Sequence, residues 1–134
     1  MVDNLTHEQR SRCMARVRSK DTDLEKLVCA ELRRRKLRFS KHAKHLPGCP
    51  DVVFDDLKVA IFIDGDFWHG YRFPVWRHSL STFWRQKINM NRIRDRRNFA
   101  QLRRMGWRVL RIWQHQVKRD VIGCGNKIVE MLRK

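Results

Sequence analysis

Apolar positions in "DTDLEKLVCAELRRRKLRF" recur at Leu24, Leu27, Val28 and Leu32, the spacing of one helix face, and predict a helix from Thr22 to Arg35. Two short apolar runs, "DVVF" and "LKVAIFID", read as strands joined at an Asp55-Asp56 turn, an antiparallel hairpin. "STFWRQKINMNRIRDRRNFAQLRRMG" predicts a long helix, with Ser81 as its N-cap and Gly106 as its stop. "WRVLRIW" alternates β-branched and aromatic residues with Arg and predicts a third strand; "VIGCGNKIVEMLRK" ends in a short helix. Ahead of all these, "THEQRSRCMARVRSK" opens with Thr6-x-x-Gln9, a capping box, and continues as a short basic helix. "KHLPGCPD" is a turn and "YRFPVWRHSL" is irregular. No repeat, low-complexity tract or linker interrupts this order. It predicts one α/β domain over residues 1–134, a mixed central sheet flanked by helices.

Acids break the apolar pattern at several places, and an acid among core positions is costly without a partner or a metal. Trp84, Ile88, Phe99 and Leu102 define a stripe on the long helix. Asp95 follows Trp84 by about three full turns and falls on the same stripe. Either Asp95 has a task there, or it pairs with Arg92 or Arg96. Glu25 lies in the arc of Leu24, Val28 and Leu32, but Thr22-x-x-Glu25 is also a capping box. Glu31 shares that arc, so angle does not choose between the two. Asp51 begins a strand directly after a Pro-rich turn, the layout of metal-dependent nucleases that fix an acid at a strand end against the scissile phosphate. Pro-Asp alone is a common turn dipeptide; its weight comes from Ile63 to His69.

Charge narrows the partner. Lys and Arg number 31 against 14 acids in 134 residues, a formal net charge of +17. Such a surface suits a polyanion, because each neutralised phosphate releases condensed counterions. The five Trp argue for a folded nucleic-acid-binding domain over a disordered basic tail. Cys13, Cys29, Cys49 and Cys124 are scattered without a CxxC, which argues against a zinc finger and requires no disulfide framework. No apolar stretch approaches the roughly eighteen residues of a membrane span, and the N-terminus lacks a signal-peptide core. The expectation is a soluble cytoplasmic protein, nucleoid-associated if bacterial.

Together "MARVRSKDTDLEKLV", "LPGCPDVVF", "VAIFIDGDFWHG", "FWRQKINMNRIRDRRNF" and "LRRMGWRVLRIW" resemble the Vsr, or very-short-patch-repair, DNA mismatch endonucleases. The resemblance runs in order from Met14 to Trp113. It implies a restriction-endonuclease-like fold of the PD-(D/E)xK superfamily that nicks DNA beside a T:G mismatch using Mg²⁺, with Mn²⁺ as a substitute. By position, Asp51 resembles the principal metal ligand and the backbone carbonyl of Ile63 a second. His69 resembles the general base, Glu25 a holder of metal-bound waters, and Asp95 the residue that orients an imidazole. Phe67, Trp68 and Trp84 resemble aromatics that wedge into the base stack, although Phe67 and Trp84 also suit a core; Trp68 is expected to be exposed. Met14, in a helical arm of about residues 1–20, resembles a residue entering from the opposite groove.

Asp64 departs from the family, standing where the best-known member has a histidine. It is a candidate catalytic and metal-binding acid, or a partner of His69, or idle. The lysine usual in the superfamily is absent, which leaves His69 as the main candidate base. The family's structural zinc ligands are also missing. Asp66, Tyr71 and Phe73 fill their places, so no structural zinc is expected and Phe73 and Trp76 are expected to staple the loop. The family further implies a monomer and a functional link to a DNA cytosine methyltransferase. Two other readings remain: a restriction or homing-type nuclease acting on intact sequence, and a non-catalytic DNA-binding relative. The last is disfavoured because Glu25, Asp51, His69 and Asp95 are all present.

Overall fold

Every residue of Val59–Asp64 is buried, because this strand, β3, lies within a sheet covered by helices on both faces. The computed structural model describes residues 23–134. In chain order its elements are α1 (Asp23–Arg34), β1 (Ser40–Lys41), β2 (Val52–Phe54), β3, α2 (Phe73–Trp76), α3 (Thr82–Arg104), β4 (Arg108–Trp113), α4 (Gln114–Arg119) and α5 (Val121–Arg133). The sheet has four strands in the order β1-β2-β3-β4. Its first three are antiparallel and β4 runs parallel to β3, so it is mixed. The hairpin pairs Phe54 with Val59 and Val52 with Ile61 across a 3-10 turn at Asp55–Leu57. A parallel neighbour needs a long crossover, and α3 with the loop before it supplies one.

Alternation along β3 divides the core. Val59, Ile61 and Ile63 pack with Val28 and Leu32 of α1, Val117 of α4 and Ile128 of α5. Ala60 and Phe62 face the other way, against Phe99 and Leu102 of α3. Asp64 continues the Ala60–Phe62 row and so faces α3 at the end of the strand. From the helix side, α3 buries the expected stripe of Trp84, Ile88, Asp95, Phe99 and Leu102, with Asn91 added to it. Ser81 accepts from the Trp84 N–H at 3.5 Å, and Gly106, at φ +88°, follows the last turn as the stop.

Glu25 and Glu31 are both buried. Arg34 Nη2 and Arg35 Nε each reach Glu31 Oε2 at 2.6 Å, and Arg35 Nη2 continues to Asn126 Oδ1 of α5 at 2.7 Å. Glu31 is therefore a strut between helices, which leaves Glu25 for other work. Three elements go beyond the sequence expectation: β1 is only two residues long, α2 is a four-residue turn of helix in the segment expected to be irregular, and α4 is six mostly polar residues. None is long enough to show a period. The expected N-terminal basic helix, the arm of residues 1–20 and Met14 lie outside the described residues. Among the described residues, no helix is long and apolar enough to cross a membrane.

Candidate active site

The first turn of α1, the start of β2, the end of β3 and the middle of α3 all border one cleft of about 760 Å³. Glu25, Asp51, Ile63, Asp64, His69 and Asp95, scattered over the sequence, line it together. Their side chains fall into two groups: Glu25 with His42 and Asp51, and Asp64 with His69 and Asp95. Within each group one ligand-type atom per residue lies within 4.8 Å of the others.

In the first group, the Ile63 N–H donates to Asp51 Oδ2 at 2.7 Å. Among the described residues no lysine or arginine pairs with Asp51. Burial, opposed by the Ile63 amide but reinforced by the carboxylates of Glu25 and Asp64, pushes the Asp51 pKa up to about 8. Glu25 Oε2 meets His42 Nε2 at 2.8 Å. His42 reaches the cleft because the chain bends sharply as it leaves β1: its φ is +51°, and its N–H donates to the Asp51 carbonyl at 3.1 Å. A left-handed conformation at a non-glycine residue costs about 1–2 kcal/mol, so the surrounding hydrogen bonds must hold it.

The second group has a resident cation. Arg111 Nε donates to Asp64 Oδ2 at 2.8 Å and Arg111 Nη2 donates to Asp95 Oδ2 at 2.6 Å. Asp95 Oδ2 also meets His69 Nδ1 at 2.7 Å, while His69 Nε2 lies 3.4 Å from Asp64 Oδ1. Burial raises the Asp64 pKa; His69 and Arg111 oppose that shift and Asp95 adds to it. Asp64 thus lies beside His69 through one oxygen and is bonded to Arg111 through the other.

The His69 loop is wound in successive turns: His69 N–H to the Gly65 carbonyl at 3.2 Å and Tyr71 N–H to the Asp66 carbonyl at 2.8 Å. Gly70 makes this possible. Its φ is +72°, and a Cβ there would sit 2.6 Å from Arg92 Cδ and 2.9 Å from Ile88 Cγ2. Gly65 has no such requirement, since a Cβ there would meet nothing closer than 3.7 Å. Buried Asn91 donates to the Trp68 carbonyl at 2.8 Å and pins the loop to α3.

Aromatic rings cover this loop. Trp84 is 3% exposed and belongs to the core, with Phe67 at 5.7 Å and Trp68 at 5.1 Å between ring centroids. Phe67 and Trp68 are half-buried, less open than expected for Trp68. Phe73 and Trp76 join the cluster, as expected of a staple. A second tie was not foreseen: Asp66 Oδ1 meets His115 Nδ1 at 2.9 Å, and the Tyr71 ring lies 4.3 Å from that imidazole. Asp66 thus joins the loop to α4, outside the cleft.

Sequence reasoning missed His42, Asn91 and Arg111. Arg111 left a weak signal, one of two arginines in a strand whose other residues are apolar. Asn91 left another, a polar residue on the apolar stripe of α3. His42 left none, because its position depends on a backbone bend.

Comparison with known proteins supplies independent context. The family described as DNA mismatch endonuclease Vsr matches residues 2–74. The chain is 43% identical over 116 residues to the Type II nicking enzyme V.XorIIP of Xanthomonas oryzae pv. oryzae, covering 85% of each chain. It is 35% identical over 135 residues to the Type II nicking enzyme V.NmeDIP of Neisseria meningitidis serogroup C, covering 98% of this chain and 91% of that one. To the DNA mismatch endonuclease Vsr of Escherichia coli K12 it is 35% identical over 116 residues, 85% of this chain and 74% of the other.

Proposed function

The chain belongs to the Vsr family of DNA endonucleases, and from that premise we propose that it nicks one strand of duplex DNA beside a T:G mismatch by Mg²⁺-assisted phosphodiester hydrolysis. The observation that carries the metal reading is Asp51, a half-buried carboxyl grouped with Glu25 and His42 at metal-ligand separations in an open cleft, its pKa pushed up to about 8. Such a group is costly to ionise alone and inexpensive to ionise against a cation. Asp51 and the Ile63 carbonyl would hold the ion. In a strand, N–H and C=O of one residue leave by the same edge, and the Ile63 N–H meets Asp51. Bound there, Mg²⁺ would neutralise charge developing on the phosphate oxygens.

The chain's own residues do the rest. Asp95 accepts from His69 Nδ1 and so fixes the tautomer, leaving Nε2 with the lone pair that takes a proton from the attacking water. Glu25, held by His42, faces the same cleft and orders water there. The excess of Lys and Arg binds the phosphate backbone without regard to sequence. Phe67 and Trp68, half-exposed over the solid floor of Trp84, are the wedge that tests whether a base pair parts. Trp84 supports this wedge from below. The loop is held by the Asp66–His115 pair and the aromatic cluster in place of a structural zinc; stoichiometric, tightly bound zinc would overturn that part.

A second reading has its own support: two of the relatives described are named as nicking enzymes without mention of a mismatch. Matched and T:G-containing duplexes, each incubated with Mg²⁺ or EDTA, separate the two. Mg²⁺-dependent nicks confined to the T:G duplex support the first reading, and equal nicking of matched DNA at a fixed sequence supports the second. Asp51→Ala is the control, and undiminished nicking by it would defeat the metal site.

A further inference from the structure

We infer that Arg111 is a built-in counter-cation for the Asp64–His69–Asp95 group, a positioning residue that occupies the charge role of a second metal and limits the cleft to one divalent ion, at Glu25–Asp51. This rests on the metal reading above. Asp64, His69 and Asp95 have the separations of a metal site, and two buried carboxylates so close need a positive charge between them. Arg111 supplies it with one edge of its guanidinium, Nε to Asp64 and Nη2 to Asp95. A planar, permanently charged fork suits this bridging; a lysine ammonium offers a single point.

The pairing is not a surface accident. Side-chain exposure is 21% for Arg111, 7% for Asp64 and 10% for Asp95. The guanidinium is packed 4.1 Å over the Trp113 ring and 5.1 Å over the Phe99 ring. In-register pairing of β4 with β3, Phe62 opposite Arg111, sets the strand position from which the side chain reaches both acids. Arg111 does not line the cleft, so it acts through Asp64 and Asp95 on His69. A divalent ion entering the same group would meet this fixed charge at close range and could bind only by displacing it. Asp64 Oδ2 belongs to Arg111, and its Oδ1, 3.4 Å from His69 Nε2, can accept from that nitrogen once it has taken the proton of the attacking water, instead of ligating metal.

The test is the number of Mn²⁺ ions bound by the full chain, read from loss of the free-ion EPR signal. Wild type is expected to bind one ion, and Arg111→Met two, the second held by the uncovered Asp64 and Asp95. Arg111→Lys, which keeps the charge, should return to one. Two ions on wild type, or one on Arg111→Met, would overturn the inference. Retention of the ion by Asp51→Ala would instead overturn the metal reading at Asp51. Kinetics give a second readout: Arg111→Met should lower kcat by roughly 30-fold with the KM for DNA within about twofold. Should Arg111→Met fold poorly, Asp64→Asn/Arg111→Met removes a carboxylate and a cation together. It should bind one ion and recover at least about fivefold of the kcat lost by Arg111→Met. Strict additivity of the two losses would contradict the coupling.

Discussion

The two acidic halves of the cleft are built from similar residues, yet they treat charge in opposite ways. Asp64 and Asp95 share a resident guanidinium, Arg111, and a histidine. Asp51 has a backbone amide and, among the described residues, no lysine or arginine, and burial raises its pKa to about 8. One half is a finished ion-pair network. The other, centred on Asp51, is the half for which a divalent cation is proposed. Similar ligand types thus serve different chemistry, and the difference lies in a cation contributed by the neighbouring strand.

The largest effect is expected from removing the Asp51 carboxyl. Asp51→Ala should reduce Mg²⁺-dependent nicking of a T:G duplex by at least about 10³-fold while DNA binding in EDTA persists, read by gel shift. Next comes the base: His69→Ala should cost about 10²–10⁴-fold in kcat. Asp95→Asn, which leaves the imidazole present but loosely oriented, should cost less, about 10–100-fold. A His69→Ala protein with wild-type kcat would move the base elsewhere.

These residues were unequally legible. The stripe on α3 placed Asp95 correctly, because a long helix fixes angle well. The hairpin and Pro50-Asp51 placed Asp51 at a strand start. Glu25 and Glu31 could not be separated by angle, and the structure buries both. Arg34 and Arg35, three and four residues beyond Glu31, were the clue that it was already satisfied. Arg111 required knowing which strand pairs with β3, and that is a tertiary fact. His42 depends on a left-handed bend that no side-chain pattern announces. Trp84 suited wedge and core equally in the sequence, and packing makes it core.

Smaller effects sharpen the contrast through stability. With a folded pKa of about 8 against an ordinary 3.8, the protonated Asp51 contributes stability that is full below about pH 3.8. That contribution is lost as pH rises through 8. The metal-free protein should therefore melt progressively lower between pH 4 and 8, with Asp64, also raised by burial, contributing in the same direction. Glu31 behaves oppositely: hydrogen bonds from Arg34 and Arg35 hold its pKa at about 2, below the ordinary 4.5. Its contribution is present above 4.5 and lost as pH falls through 2. Glu31→Gln should flatten the acid limb of the melting curve and leave the alkaline limb unchanged. Gly70→Ala should cost about 1–3 kcal/mol in urea unfolding, from its positive φ and the contact with Arg92.

The most direct test compares melting temperatures at pH 8 with and without Mg²⁺, for wild type and Asp51→Asn. Wild type should be raised by Mg²⁺. Metal-free Asp51→Asn, relieved of a half-buried negative charge, should melt above metal-free wild type and gain nothing from the ion. An equal Mg²⁺ gain in both proteins, or metal-free Asp51→Asn melting below wild type, would contradict the proposed metal site at Asp51.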